Sequence, residues 1–147
     1  VDPELDVVTM AVQVPETLAH LHYWAVQLTR EASKDEVLDA LRASSRIAFI
    51  RIAEGLTAIN TVKELMADLG RPHDNLYEVA VWEDMLTVQG DEAFYAYMVD
   101  NQAIVIPETV DAIRALTGLE ADGAASIRMT YAALGITGRL VPETVAA

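Results

Sequence analysis

The stretch Leu18–Leu28, which reads LAHLHYWAVQL, has the apolar and aromatic composition of a buried β-strand. Side chains alternate between the two faces of a strand, so His20 and His22 would share one face with Trp24. A polar ring on a mostly buried face needs a hydrogen-bonding partner. The two histidines therefore allow three interpretations: satisfied structural side chains, a catalytic base, or ligands of a metal ion.

Hydrophobic periodicity and breaker residues predict the remaining elements. Further strands are predicted at Val7–Val14, Arg46–Ile52, Leu76–Trp82, Met85–Gln89 and Ala93–Val99. Helices are predicted at Lys34–Ala43, between Asn60 and Gly70, at Pro107–Leu116 and at Asp122–Leu134. This order does not alternate as a doubly wound fold would. It predicts an α+β domain with a mixed, mostly antiparallel sheet and helices on one face.

Local signals refine three of these elements. Ser33 and Glu36 have the spacing of a capping box, which predicts the start of the first helix. Asn60 is predicted to cap the second helix, because its side-chain oxygen can accept first-turn amide hydrogens. The strand Leu76–Trp82 is apolar on both faces, which indicates a central position in the sheet.

Three further predictions concern the third helix, one loop and the bounds of the domain. Val110, Ile113 and Leu116 recur at helical spacing and are expected to face inward. His73 lies in a loop and is expected to be solvated. Residues 1–136 are predicted to form one domain, and residues 137–147 a tail.

The charge balance limits the kinds of partner. The chain has 147 residues, with 23 acidic against 10 basic ones, and a formal net charge of −13. The electric field of this negative charge repels phosphate backbones and anionic membrane surfaces, so neither nucleic acid nor membrane is a predicted partner. Only Lys34 and Lys63 are lysines, and this acid-rich, lysine-poor composition is typical of a protein from a salty cytoplasm. An ordinary acidic surface is the alternative.

Several chemistries lack their residues in this chain. It contains no cysteine, which excludes disulfides, thiolate metal sites and a cysteine nucleophile within these residues. Glycine-rich phosphate-binding loops are absent, so no cofactor is expected to bind this chain on its own. His20 and His22 could supply two metal ligands, but no third ligand is close in sequence, and no metal site is predicted. No apolar run suits a transmembrane helix, and a cytoplasmic location is predicted.

Three segments carry a resemblance to a known family. They are residues 7–22 (VVTMAVQVPETLAHLH), residues 68–83 (DLGRPHDNLYEVAVWE) and residues 105–116 (VIPETVDAIRAL). Their order and spacing resemble those of the archaeal-type glyceraldehyde-3-phosphate dehydrogenases. The closing residues 126–127 and 133–136 are also similar to the end of that family's sequences.

The resemblance implies that the chain is the later part of a catalytic domain. The family's nucleotide-binding domain and its catalytic cysteine would lie upstream of Val1. The intact enzyme would be phosphorylating, would use NAD or NADP, and would act on glyceraldehyde 3-phosphate and inorganic phosphate. The partners implied are the missing nucleotide-binding half and the sister subunits of a homo-oligomer, a tetramer in this family. The chain alone is expected to be inactive.

By the same resemblance, His20 matches the family's catalytic histidine. A neighbouring histidine can favour the thiolate of the catalytic cysteine, which attacks the aldehyde. The histidine then accepts the hydroxyl proton as hydride leaves for the nicotinamide, and phosphate releases the acyl group. His22 points the same way and is open to a purely structural role.

Asn101 is a candidate cofactor contact. Many archaeal members read His-Gln-Glu-Ser-Asp where this chain has Asp100–Ile104, DNQAI. The Asp-Asn start resembles the bacterial and eukaryotic enzymes, in which the asparagine holds the nicotinamide amide. An asparagine side chain offers both a donor and an acceptor, as recognition of an amide requires. The alternative is a polar loop that caps the preceding strand.

A second class of function fits the predicted fold. A non-catalytic, dimeric α+β domain that binds a ligand or regulates a partner would also place strand and helix units on one sheet. His20 discriminates between the two classes, because such a module would not need an imidazole beside a cleft.

Overall fold

The computed structural model describes residues 19–141 as an α+β fold, and the predicted strand Val7–Val14 lies outside the described residues. The strands are β1 Ala19–Gln27, β2 Ile47–Ile50, β3 Val79–Trp82, β4 Thr87–Gln89 and β5 Glu92–Asp100. The α-helices are α1 Lys34–Arg42, α2 Ile59–Asp68, α3 Ile106–Thr117 and α4 Gly123–Leu134. Short 3₁₀ turns cover Ile52–Glu54, Pro72–Asp74 and Glu83–Met85.

The sheet is mixed and mostly antiparallel, as predicted. Its strand order is β1-β5-β3-β2, and β4 pairs with the first half of β5. β5 is antiparallel to β1, β3 and β4, while β2 and β3 are parallel. The central position predicted for β3 is confirmed, since it lies between β5 and β2. The strands predicted at Met85–Gln89 and Ala93–Val99 are present as β4 and β5, which form a hairpin, and Gly90 adopts the positive φ that its tight turn requires.

One face of the sheet packs against α2. The core comprises small and large side chains that alternate along the strands: Ala48, Ile50, Ala80, Trp82, Ala96 and Met98. α2 contributes Ile59, Val62 and Met66, which lie on one helical stripe. Each such buried aliphatic side chain contributes about 1.5–3 kcal/mol through the hydrophobic effect. Leu140, from the segment predicted as a tail, is also part of this core.

α1 borders the opposite face of the sheet. Its Val37 and Leu41 line a groove together with Val26 of β1 and Tyr95 of β5. The capping box predicted for α1 is confirmed, because the Glu36 N–H donates to Ser33 Oγ and the Ser33 N–H donates to the Glu36 carboxylate.

The predicted cap of α2 was wrong. The helix begins at Ile59 and its N-cap is Ala58, so Asn60 lies within the first turn. The Ala58 N–H donates to Thr61 Oγ1 at 3.2 Å, so the side chain at the third helical position satisfies the N–H of the N-cap residue. Burial of Ile59 in the core sets this earlier start.

The inward orientation predicted for α3 was wrong at two positions. Ile113 is 52% exposed and Leu116 is 87% exposed. α3 instead turns Asp111 toward α4, where the carboxylate accepts hydrogen bonds from Ser126 Oγ and Thr130 Oγ1, both at 2.6 Å. A polar network therefore joins the two helices, and it decides which face of α3 is covered.

A buried ion pair anchors the loop that precedes β3. Glu78 is fully buried, and both its carboxylate oxygens accept from the Arg71 guanidinium, at 2.6 and 2.8 Å. Arg71 also lies over the Tyr77 ring and donates to the carbonyl of Gly135 at the end of α4. One guanidinium thus ties together the end of α2, the entry to β3 and the end of α4.

Replacement Glu78→Gln is expected to destabilise the fold by about 3–5 kcal/mol, because it leaves the Arg71 charge buried without its partner. Urea unfolding of the chain measures this free energy. Asp39→Asn, which breaks the exposed pair with Arg42, is the control and should change it by less than about 0.5 kcal/mol. Equal effects of the two variants would contradict the role given to Glu78.

Asp111 gives the α3–α4 contact a pH dependence. Burial alone would raise the pKa of Asp111, but the hydroxyls of Ser126 and Thr130 and the Arg114 guanidinium outweigh it and lower the pKa. The pKa of Asp111 is lower in the folded than in the unfolded chain. The stability that its carboxylate contributes is therefore present above the unfolded pKa and is lost as pH falls through the folded pKa. The difference in unfolding free energy between wild type and Asp111→Asn should shrink below about pH 4. A constant difference from neutral to acidic pH would contradict this assignment.

Candidate active site

The pairing of β1 with β5 brings His20 and Asn101 to the same end of the sheet. Ala19, the first residue of β1, is paired with Asp100, the last residue of β5, and His20 is paired with Val99. Asn101 follows directly and begins the turn that leaves β5. Two residues far apart in the sequence thus lie at one end of the sheet, because an antiparallel register places the start of one strand beside the end of the other.

The shared face of the two histidines, predicted from the alternation of β1, is confirmed. The His20 and His22 ring centroids are 5.8 Å apart. His22 stacks on Tyr97 of β5, with centroids 4.7 Å apart and an interplanar angle of 7°. Trp24 makes an edge contact with the same Tyr97 ring at 5.6 Å. His22 therefore has a packed partner on the neighbouring strand.

His20 lies at the open end of this row of rings and is exposed. The proximity of the two histidines affects the pKa of His22. Partial burial lowers the pKa of His22, and the neighbouring His20 lowers it further by charge repulsion. At neutral pH His22 is therefore uncharged, in keeping with its stacked position, while His20 presents its imidazole to solvent.

The turn after β5 is shaped by Asp100. Its Oδ1 accepts from the N–H groups of Gln102 and Ala103, each at 2.9 Å. Its backbone carbonyl accepts from the Ile104 N–H at 3.1 Å. Asp100, which the sequence analysis did not single out, thus caps the strand, and Asn101 is exposed beside it. The missed signal is an aspartate at a strand end followed by a polar residue, which is typical of an Asx turn.

The remaining candidate positions lie apart from this site. His73 is exposed in its loop, as predicted, and adopts a left-handed conformation with φ of 55°. Within residues 19–141, no three histidine or carboxylate side chains lie close enough to hold a metal ion. Over that same range, no helix has the length and hydrophobicity needed to cross a membrane.

The geometry supports two kinds of chemistry at this end of the sheet. An exposed imidazole on a hydrogen-bonded strand can act as a general acid or base toward a bound group. An exposed amide on a capped turn can recognise another amide, because it offers one donor group and one acceptor. His20 and Asn101 are not accompanied by a thiol or serine nucleophile, since the sequence contains no cysteine and no serine lies beside His20 in β1.

Comparison with curated proteins finds extensive similarity to one group of enzymes. The chain is 43% identical over 134 residues to a glyceraldehyde-3-phosphate dehydrogenase of Methanopyrus kandleri. The matched region covers 91% of this chain and 38% of the relative. It is 43% identical over 133 residues to the enzyme of that name from Metallosphaera sedula, covering 90% of this chain and 39% of the relative. A Methanosarcina barkeri relative of that type is 34% identical over 134 residues, with 91% and 39% covered.

No protein-family model matches the chain. The chain spans just under two fifths of the length of the curated relatives it matches. At this identity over nine tenths of the chain, the resemblance carried by its three segments is confirmed. Over nine tenths of its length the chain is therefore similar to the archaeal glyceraldehyde-3-phosphate dehydrogenases.

Proposed function

We propose that this chain supplies the later part of the catalytic domain of a phosphorylating glyceraldehyde-3-phosphate dehydrogenase. The observation that carries the proposal is the β1–β5 register, which sets the exposed His20 beside the turn that presents Asn101. The substrates would be glyceraldehyde 3-phosphate and inorganic phosphate, and the product an acyl phosphate. The nucleophilic thiol would come from residues outside this chain, because the sequence holds no cysteine.

His20 is proposed as the catalytic base. Its ring is exposed at the start of β1, and the hydrogen-bonded ladder with β5 holds the backbone in place. The imidazole would accept the proton of the substrate hydroxyl formed when the thiolate adds to the aldehyde. Phosphate then releases the acyl group from sulfur. His22 would support this arrangement structurally, since its stacking on Tyr97 fixes the neighbouring stretch of the strand.

Asn101 is proposed to hold the carboxamide of the nicotinamide. NAD or NADP, when bound, supplies the hydride acceptor of the reaction. The residues present fit that group, because the exposed Asn101 amide can donate to its carbonyl and accept from its NH₂. The nucleotide itself would be held by another domain, in keeping with the absence of a glycine-rich loop from this sequence.

The proposal includes assembly and location. Exposed apolar side chains lie on the α3–α4 pair and on β1: Tyr23, Trp24, Ile113, Leu116, Leu119 and Met129. Apolar exposure on this scale is typical of surfaces that contact another domain or subunit, so we propose that the nucleotide-binding half and sister subunits of a tetramer cover them. The excess of acidic over basic residues supports a salt-adapted cytoplasmic protein that binds neither nucleic acid nor membrane.

A chimera tests the catalytic assignment. This chain replaces the matched 134 residues of the Methanopyrus kandleri relative, and oxidation of glyceraldehyde 3-phosphate is followed by NADPH or NADH formation. His20→Asn should lower kcat by about 10²–10⁴-fold with little change in KM, because a general base acts in the transition state. His73→Asn is the matched control, since His73 is an exposed loop residue.

Two outcomes of this assay would contradict the proposal. A His20→Asn chimera with kcat within about threefold of its parent would remove the catalytic role of His20. Turnover by the isolated chain above the blank would show that the thiol is not needed, because the chain has no cysteine.

The pairing of the two imidazoles has its own test in the chain as it stands. His20→Gln should raise the pKa of His22 toward its ordinary value, because the repulsion from His20 is removed while partial burial remains. Titration of the imidazole proton shifts by NMR measures this pKa. His73→Gln serves as the control and should leave the pKa of His22 unchanged. An unchanged pKa in His20→Gln would contradict the coupling.

A further inference from the structure

A buried ion pair lies directly beneath the turn that carries Asn101. The Lys63 ammonium, from α2, donates to Asp100 Oδ2 at 2.5 Å and to the backbone carbonyl of Asp74 at 2.6 Å. The Asp100 side chain is 2% exposed and that of Lys63 is 17% exposed. Lys63 is one of only two lysines in the sequence, and its charge is used inside the fold.

Stability alone is a poor reason for such a pair. The cost of removing two charges from water generally consumes most of their mutual attraction, and well-packed apolar replacements are often as stable. The pair therefore needs a geometric reason. The Asp100 carboxylate supplies that geometric reason, because its second oxygen, Oδ1, accepts from the N–H groups of Gln102 and Ala103. Lys63 holds one oxygen of Asp100 while the other oxygen holds the turn.

The turn is held at its far end as well. Ala103 is fully buried and packs with Tyr77 and Ile136, and the Arg46 guanidinium donates to the Ile104 carbonyl at 3.0 Å. Between these anchors Asn101 remains exposed. The result is a turn held at both ends, with the polar side chains of Asn101 and Gln102 exposed, at the end of the sheet where His20 also lies.

We propose that Lys63 and Asp100 are positioning residues, which fix the 101–105 turn and thereby aim Asn101 at the nicotinamide carboxamide. This inference rests on the proposed function, since it assigns the pair a purpose in cofactor binding. Burial by itself would raise the pKa of Asp100, but the Lys63 hydrogen bond and the two amide hydrogen bonds outweigh it and lower the pKa. The carboxylate is therefore charged at neutral pH, as its contact with Lys63 requires.

Hydrogen exchange tests whether the pair holds the turn, and it is measured in this chain and its single variants without the rest of the chimera. Lys63→Met should speed exchange of the Gln102 and Ala103 amides by roughly tenfold or more beyond any change at core amides of β5. Leu38→Ala is the matched control, because it opens a buried site in α1 and should affect exchange only through global stability. Lys63→Arg keeps the charge and should restore slow exchange. If Lys63→Met changes all amides equally, the pair is merely structural and the proposal is overturned.

Asp100→Asn provides a second variant, should Lys63→Met fail to fold. It keeps an Oδ1 acceptor for the two amides and loses the charge that faces Lys63. Faster exchange at Gln102 and Ala103 is again the expected result. Unchanged exchange would overturn the proposal, since the ionic contact would then have no part in holding the turn.

A double-mutant cycle in the chimera tests the link to the cofactor. Lys63→Met and Asn101→Ala should each raise KM for NAD(P) by about tenfold, and the double variant should rise no further, because both act through one contact. Additive effects would show that Lys63 does not act through Asn101 and would overturn the inference. No effect of Asn101→Ala would remove the cofactor contact from the proposed function, whereas the exchange experiment would still decide whether the pair holds the turn.

Discussion

The antiparallel pairing of β1 with β5 is the constraint on which the rest of the site depends. It sets Ala19 opposite Asp100 and so fixes where one strand starts relative to where the other ends. A slip of one residue would turn every β1 side chain to the opposite face and would move His20 to the face that α2 covers. Stacking of His22 on Tyr97 and the edge contact of Trp24 with the same ring favour the observed register through side-chain contacts across the strands.

Buried charge in this chain is used at the junctions between elements. Arg71 with Glu78 joins the end of α2 to β3 and α4, and Asp111 joins α3 to α4. Lys63 with Asp100 joins α2 to the turn after β5. Such pairs add little net stability when intact and cost much when half removed, so they select one arrangement of elements over others.

The sequence predicted the elements better than their packing. Alternation along residues 18–28 gave the strand and the shared face of His20 and His22, because both follow from local geometry. Asn60 and the inward face of α3 were wrong for one reason: each depended on a partner distant in sequence. The burial of Ile59 sets the start of α2, and the bonds from Ser126 and Thr130 to Asp111 orient α3.

The sequence by itself determined the fold class, the capped start of α1, the shared strand face of His20 and His22, and the family likeness, whereas the burial that it predicted for β1 was wrong. These depend on period, capping chemistry and residue order, all of which act over a few positions. Only the tertiary structure decided that His20 and Asn101 share one end of the sheet and that Lys63 lies beneath the turn. Those relations depend on strand pairing and helix packing between segments far apart along the chain, where no local pattern specifies the partner.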